Sequence, residues 1–167
     1  GQDSDSIRAG NILSIGANLS LNNANTSDVA NLDVGSGFLL SVKGSTTIAT
    51  GAGANGVTVS CGEALTFGQA VTVPGGVASD AVQFLGENVK FKGGLTLNLA
   101  AGGNNVILTA HERFEVGGDL AFSATTRSSF ALNAGSGLVK GGTMITAPDG
   151  LDASLIGHLG KIIFLKG

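Results

Sequence analysis

Three glutamates recur at nearly equal intervals and are the residues best placed to do chemistry together. Glu63, Glu87 and Glu112 each lie two residues before a pair of apolar residues with the spacing i, i+2. If the chain coils with this period, the three carboxylates stack about 4.8 Å apart, and carboxylate oxygens are ligands that calcium accepts. A solvated corner with basic residues nearby explains the same pattern, and we favour it. We therefore expect no resident cofactor, with calcium as the one cation that this column could hold.

The other residues with reactive side chains are isolated in the sequence. His111 stands among charged residues and could act as a general base, while Asp149, Asp152 and His158 surround the last wide loop. Cys61 is the single cysteine, which excludes an intrachain disulfide framework and a cysteine-cluster metal site. Such a thiol is more often a small buried apolar residue than a nucleophile. No segment matches a nucleophile elbow, a phosphate-binding loop or a zinc motif, so the sequence does not predict an enzyme.

Composition narrows the classes of structure and partner. The chain has 167 residues, among them 28 glycines and neither Trp nor Tyr. Glycine destabilises a helix by about 1 kcal/mol per position relative to alanine, so many short strands joined by tight bends are expected. The net charge is −3 and the basic residues are scattered without a basic stripe in the sequence, which argues against nucleic acid. The longest apolar run has four residues, too few for membrane insertion.

Apolar pairs recur with a period of 24 to 27 residues and define the elements that position these side chains. The first pair of each coil starts at Leu13, Leu40, Leu65, Val89, Phe114 and Leu138. A second pair follows six residues later, and a third follows 10 to 13 residues after the second. Alternation of period two indicates strands with one face inward, and a sustained repeat indicates stacked coils.

We therefore predict an all-β fold, a parallel β-solenoid (β-helix) of about six coils with three short strands in each. The handedness of parallel crossovers favours a right-handed coil. A β-sandwich also uses short strands, but it gives no reason for a sustained repeat. The last coil is the least regular, because its second slots fall on Lys140, Thr146 and Gly157. Segments rich in Gly, Asn, Ser and Asp, such as 49–56 and 74–81, are predicted to form one wide loop per coil.

The two ends of the chain are predicted to differ from the middle. Residues 1–10 are polar and are expected to form an N-terminal arm or cap, with the solenoid over 11–167. A strand edge left unpaired invites another chain to pair with it. The predicted self-association surface comprises Ile162, Ile163, Phe164 and Leu165, which begin a seventh coil, and Leu13 and Ile15 in the first coil. The alternatives are that the chain is a fragment of a longer solenoid, or that Lys161 and Lys166 protect the edge.

Two segments resemble the repeats of a known class of protein. Residues 94–103 (GLTLNLAAGG) and 118–124 (GDLAFSA) are similar to repeats of bacterial β-helical surface proteins, namely filamentous haemagglutinin-like adhesins and autotransporter passenger domains. The resemblance implies an exported protein, extracellular or on the cell surface. It extends over nearly the whole chain as a pattern, and no functional residue is carried over with it.

Three functions are compatible with these features. The first is a secreted structural subunit that stacks head to tail with copies of itself into a fibre or surface layer. The second is an adhesin passenger whose wide loops contact a host surface or a glycan. The third is a polysaccharide-processing or phage tail-spike-like solenoid. We favour the first.

Overall fold

A computed structural model describes residues 4–9, 12–22, 29–34, 39–157 and 162–164, with side chains described over 12–22 and 39–152. Every regular element in these ranges is a β-strand. They contain no helix long and apolar enough to cross a membrane. The strands are β1 (Ser4–Ala9), β2 (Ile12–Ile15), β3 (Leu19–Asn22), β4 (Val29–Val34), β5 (Leu39–Val42), β6 (Thr46–Ala49), β7 (Gly56–Cys61), β8 (Ala64–Phe67), β9 (Val71–Pro74), β10 (Ala81–Phe91), β11 (Leu95–Leu99), β12 (Asn105–Val116), β13 (Leu120–Ala124), β14 (Ser128–Val139), β15 (Thr143–Thr146), β16 (Leu151–Gly157) and β17 (Ile162–Phe164).

The strands pair in three parallel ladders. The first ladder runs through β2, β5, β8, the second halves of β10, β12 and β14, and β17. The second ladder runs β3-β6-β9-β11-β13-β15, and the third runs β1-β4-β7-β10-β12-β14-β16. Each strand pairs with the equivalent strand of the next coil, as a chain that winds around one axis requires. The predicted fold, a parallel β-solenoid, is confirmed, with about five turns in the described ranges.

The third and first strands of the central coils are continuous, where the sequence predicted two separate strands. In β10 and β12 the register shifts between Gly86 and Asn88 and between Ala110 and Arg113. A β-bulge of this kind bends a strand without ending its pairing. The intermediate corner of the coil is therefore a bulge within one strand, and β12 carries one more residue there than β10.

Inward-facing side chains fill the coil with a single apolar core. From Leu40 to Leu132 the predicted inward positions are buried, with Thr46 as the one polar member. The rings of Phe67 and Phe91 stack with centroids 5.2 Å apart, and Phe84 meets both edge-on. Contacts of this geometry add to the stabilisation from buried area. Cys61 belongs to the same core, and burial raises the pKa of its thiol.

The last coil is in a different register from the predicted one. Gly137 and Val139 continue the first ladder above Phe114 and Val116, so the predicted start at Leu138 is wrong by one residue. The predicted second strand is wrong in the same way: Ile145 pairs with Phe122 and is partly buried, whereas Met144 is 56% exposed. A shift of one residue exchanges the two faces of a strand. The observed register leaves Lys140 exposed, whereas the predicted one would have buried its charge.

The first coils also depart from the prediction. Within residues 1–10, predicted to be a polar arm or cap, β1 (Ser4–Ala9) pairs with β4. In β4, Leu32 pairs with Val59, two residues further along β7 than predicted. A shift of two residues keeps the same face inward, which is why the apolar pattern did not reveal it.

Candidate functional site

The three glutamates of the predicted column lie at the bulge end of the first ladder. Glu63, Glu87 and Glu112 each precede the first-ladder part of their coil, where Asn88 N donates to Glu63 O at 2.8 Å. Glu63 and Glu112 are exposed and Glu87 is half-buried. The carboxylate of Glu112 accepts from Asn88 Nδ2 at 2.9 Å. Within the described ranges no three His, Cys, Asp or Glu side chains are grouped so that they could hold a metal ion.

The other predicted chemical groups are spread over the surface. His111 is exposed in the bulge of β12, and Asp149 is exposed near the last wide loop. Asp152 forms an exposed ion pair with Arg127, with Nη2 and Oδ2 3.1 Å apart. His158 lies outside the described residues. Asp149 and Asp152 are therefore surface residues, and Asp152 is engaged in an ion pair.

Basic side chains gather on the outer face of the first ladder, which the scattered sequence positions did not suggest. We name this surface the basic face and define it by Lys43, Lys90, Lys92, Arg113 and Lys140. Outward positions of successive coils stack: Thr66 pairs with Lys90, and Lys90 pairs with Glu115. Lysines distant in the sequence thus become neighbours through the repeat.

Glu115 lies at the centre of the basic face and contacts three of its cations. Its carboxylate is 3.1 Å from Lys90 Nζ, 3.1 Å from Lys140 Nζ and 3.5 Å from Arg113 Nη2. The Glu115 side chain is 8% exposed, whereas its partners are 42 to 59% exposed. The long basic side chains therefore cover the carboxylate with their stems while their charges remain at the surface.

The pKa of Glu115 is held below its ordinary value. Burial by itself raises this pKa, but hydrogen bonds from Lys140 and Lys90 and their positive charge outweigh burial. A carboxyl group with a lowered folded-state pKa stabilises the fold above its unfolded-state pKa. That contribution is lost as the pH falls through the folded-state pKa.

We expect Glu115→Gln to lower the free energy of unfolding at pH 7 by about 1–2 kcal/mol, because charge-assisted hydrogen bonds to two lysines are weakened. The difference from the wild type should shrink as the pH falls below about 4. Urea unfolding followed by far-UV circular dichroism across this range measures both effects. Glu63→Gln, the same change at an exposed carboxylate, should alter stability by less than about 0.5 kcal/mol. A loss for Glu115→Gln that is independent of pH would contradict the assignment.

A pocket of about 300 Å³ opens on the basic face. Its lining comprises Ala64, Thr66, Asn88, Val89, Lys90, Arg113 and Glu115. The polar groups at its wall are a hydroxyl, an amide and the charged cluster around Glu115. Asn88 Nδ2 already donates to Glu112, and Lys90 and Arg113 already donate to Glu115. An anionic group in the pocket would therefore meet the remaining N–H groups of these two cations.

Lysine and glycine alternate along the edge of the basic face, next to the tight corner. Four backbone N–H groups along this edge each donate to a carbonyl oxygen of the preceding coil: Gly68 N to Val42 O, Lys92 N to Phe67 O, Gly117 N to Phe91 O and Lys140 N to Val116 O. A Cβ built on Gly68 would overlap the carbonyl oxygen of Lys43, and one built on Gly117 would overlap that of Lys92. Gly68 lies between Lys43 and Lys92 in the stack and has no side chain, so a notch separates the two lysines.

The wide loops are anchored from inside by stacked polar residues. We name this set the wide-corner ladder: Asn55, Asp80, Asn104 and Ser128, all buried. Asp80 accepts from Thr50 Oγ1 at 2.8 Å and from Asn55 N at 3.2 Å. Its own N–H donates to Asn104 Oδ1 at 2.9 Å. The loops that the sequence predicted as protruding contact surfaces thus have a fixed base.

The predicted self-association residues that the structure describes lie in the outermost described strands of the first ladder. Leu13 and Ile15, in β2, are partly buried against the core. Residues 162–164 form β17, which pairs with β14, and Leu165 lies outside the described residues. The backbone thus places Ile162, Ile163 and Phe164 at the opposite end of the first ladder from β2.

Comparison of the chain with protein-family models gives no match. Comparisons with curated proteins and with solved structures give no match either. Function is therefore inferred from the geometry of the described residues.

Proposed function

We propose that this chain is a non-enzymatic structural protein that stacks end to end with copies of itself into a fibre or a surface layer. An extracellular or cell-surface location is part of the proposal. It is supported by the resemblance of the repeats to those of bacterial β-helical surface proteins.

The proposal rests on apolar residues that remain partly exposed at the two ends of the described core. Six apolar residues pack against the core while remaining partly exposed: Leu13, Ile15, Leu21, Ile145, Ala147 and Leu151. The first three lie in β2 and β3, and the last three lie in or beside β15 and β16. Apolar area that stays accessible at both ends is area that a stacked coil would bury.

The backbone at the two ends is complementary in geometry. Among the described strands, β2 pairs with β5 alone, β3 with β6 alone and β15 with β13 alone. All of these pairs are parallel, so an end of one copy can continue the ladders of the next copy in the same direction. Each junction would repeat the hydrogen bonds and apolar contacts already present between neighbouring coils.

Electron microscopy and sedimentation at micromolar concentration test the proposal, and rods of uniform width are the expected result. Leu13→Asp should raise the concentration needed for assembly at least about a hundredfold, because an unpaired carboxylate in the junction costs several kcal/mol. Calcium should not be required. Discrete particles of the wild-type chain at all accessible concentrations would refute the proposal.

Ser14→Asp is the matched control for this experiment. It adds the same charge to the same strand at an exposed, outward position, so assembly should be retained. Urea unfolding of both variants under conditions that keep them dispersed separates a lost junction from a lost fold. Assembly of Leu13→Asp at the wild-type concentration would place the contact elsewhere.

A second candidate function, binding of a glycan or a host surface by an adhesin-like solenoid, is favoured by the basic face. The wide loops remain the contact surface predicted from the sequence. The basic face is an additional lateral surface that end-to-end stacking leaves accessible.

A further inference from the structure

We propose that the basic face binds an extended acidic polysaccharide, a chain of uronate sugars running parallel to the solenoid axis. The inference goes beyond end-to-end stacking, because it concerns the side of the solenoid and holds for a single copy as well as for a fibre. It rests on the distribution of charge, on the notched row of lysines and on the pocket.

Positive charge is concentrated on this surface and held in place. Of the basic residues whose side chains are described, all but Arg127 belong to the basic face. Glu115 orients three of them by direct contact and neutralises one charge, which leaves the group positive. Cations that are already oriented lose less conformational freedom when a ligand binds.

The glutamates at the bulge end of the first ladder lie beside Arg113 and the pocket, where Glu112 accepts from Asn88 Nδ2 at 2.9 Å, and farther from the lysine row. Glu87 and Lys92 lie at opposite ends of the first-ladder strand and are five residues apart. This separation is ~16 Å along an extended chain. This exceeds the Debye length of about 8 Å at physiological salt. On the other side, the Asp119 carboxylate accepts from Gly142 N at 2.7 Å, so it is bound to the backbone of the next coil.

The row of lysines has a shape that suits a repeating anionic polymer. Lys43 and Lys92 stand two coils apart, ~9.6 Å for parallel strands, with the notch at Gly68 between them. A sugar ring can lie in a notch while the carboxylates of alternate sugars meet the lysines. The pocket beside this row adds the cations Lys90 and Arg113, both of which already donate to Glu115.

The chemistry of the face favours an acidic glycan over other ligands. The phenylalanines with described side chains, Phe67, Phe84, Phe91, Phe114, Phe122 and Phe130, are fully buried, and the chain has no Trp or Tyr. The described part of the face therefore has no aromatic platform on which bases could stack. It offers hydrogen-bond donors, which any sugar can use, and positive charge, which favours an acidic sugar over a neutral one.

Calorimetric titration with polygalacturonate at low salt tests the inference. Lys92→Ala should weaken binding about threefold, the effect of one exposed ion pair, and Lys43→Ala combined with Lys92→Ala about tenfold. Arg127→Ala removes the same charge away from the face and should change binding less than about twofold. Far-UV circular dichroism verifies the fold of each variant, and raising the salt to about 1 M should abolish binding.

Four outcomes would overturn the inference. These are no binding by the wild type, equal losses in Lys92→Ala and Arg127→Ala, equal binding of a neutral polymer such as pullulan, and binding of polyuridylate as tight as that of polygalacturonate. The last outcome would reassign the face to polyanions in general. Because the titration reads a lateral surface, a failure of end-to-end stacking would leave its result unaffected.

Discussion

Replacing Asp80 with alanine is expected to lower the free energy of unfolding by about 4 kcal/mol. Asp80 is 2% exposed and lies inside the wide corner. It accepts hydrogen bonds from the Thr50 hydroxyl and from both the backbone and side-chain N–H groups of Asn55. Alanine removes the acceptor that these buried donors share. Thr50 Oγ1 also reaches Pro74 O at 3.4 Å and Asn55 Nδ2 also reaches Gly53 O, but each lost hydrogen bond to a buried carboxylate still costs about 1–3 kcal/mol.

Urea unfolding followed by far-UV circular dichroism measures this loss, since the chain has no Trp or Tyr for fluorescence. Asp80→Asn keeps the shape and one acceptor oxygen, so its loss should be about half as large. Asp152→Ala removes an exposed carboxylate whose ion pair with Arg127 lies in solvent and should cost less than about 1 kcal/mol. Equal losses for Asp80→Ala and Asp152→Ala would show that the wide-corner ladder does not stabilise the fold.

The fold could be predicted from the sequence because burial constrains the inward positions in every coil. Pairs such as Leu65 and Phe67 must be apolar wherever the coil closes around its core, so the repeat is visible without an alignment. The last coil could not be placed in the same way, because Gly137 occupies an inward position without an apolar side chain. Leu138, next to it, is apolar but faces outward. The hydrophobic pattern therefore assigned the inward position to Leu138 instead of Gly137.

The outward positions carry no such constraint, and for that reason the basic face was missed. Lys43 and Lys92 each lie three residues after the start of a first strand, and Lys140 lies three after Gly137. With the correct register the row could have been read from the sequence, but the one-residue error in the last coil moved Lys140 out of line. The burial of Glu115 could not be read in this way, because it depends on where the long side chains of its partners fold back.

The wide-corner ladder has a regular spacing in the sequence, but its residue types are also those of ordinary loops. Asn55, Asp80 and Asn104 each directly precede a third-ladder strand and Ser128 is the first residue of one, and the four are spaced by 25, 24 and 24 residues. Asn, Asp and Ser are also the commonest residues of solvated loops, so their regular spacing was attributed to the loops themselves. Regular spacing of polar residues indicates a buried ladder when it is as strict as that of the core.

Gly117→Ala is expected to destabilise the solenoid by about 3 kcal/mol, through a clash between backbone atoms of neighbouring coils. A Cβ at this position would overlap the carbonyl oxygen of Lys92. Neither strand can shift freely, because Gly117 N donates to Phe91 O at 2.7 Å and Lys92 N donates to Phe67 O at 2.8 Å. Relief of the overlap therefore lengthens ladder hydrogen bonds, and thermal or urea unfolding will report the loss.

Gly103→Ala tests whether the cost comes from the clash and not from the loss of glycine as such. A Cβ on Gly103 would lie 3.8 Å from Arg127 O, an ordinary contact, so this variant should match the wild type within about 1 kcal/mol. Gly68→Ala, whose Cβ would overlap Lys43 O, should behave like Gly117→Ala. If all three variants were equally stable, the alternation of lysine and glycine would have no steric cause. If the two clashing variants alone unfold early, the backbone itself imposes the two-coil spacing of the lysines on the basic face.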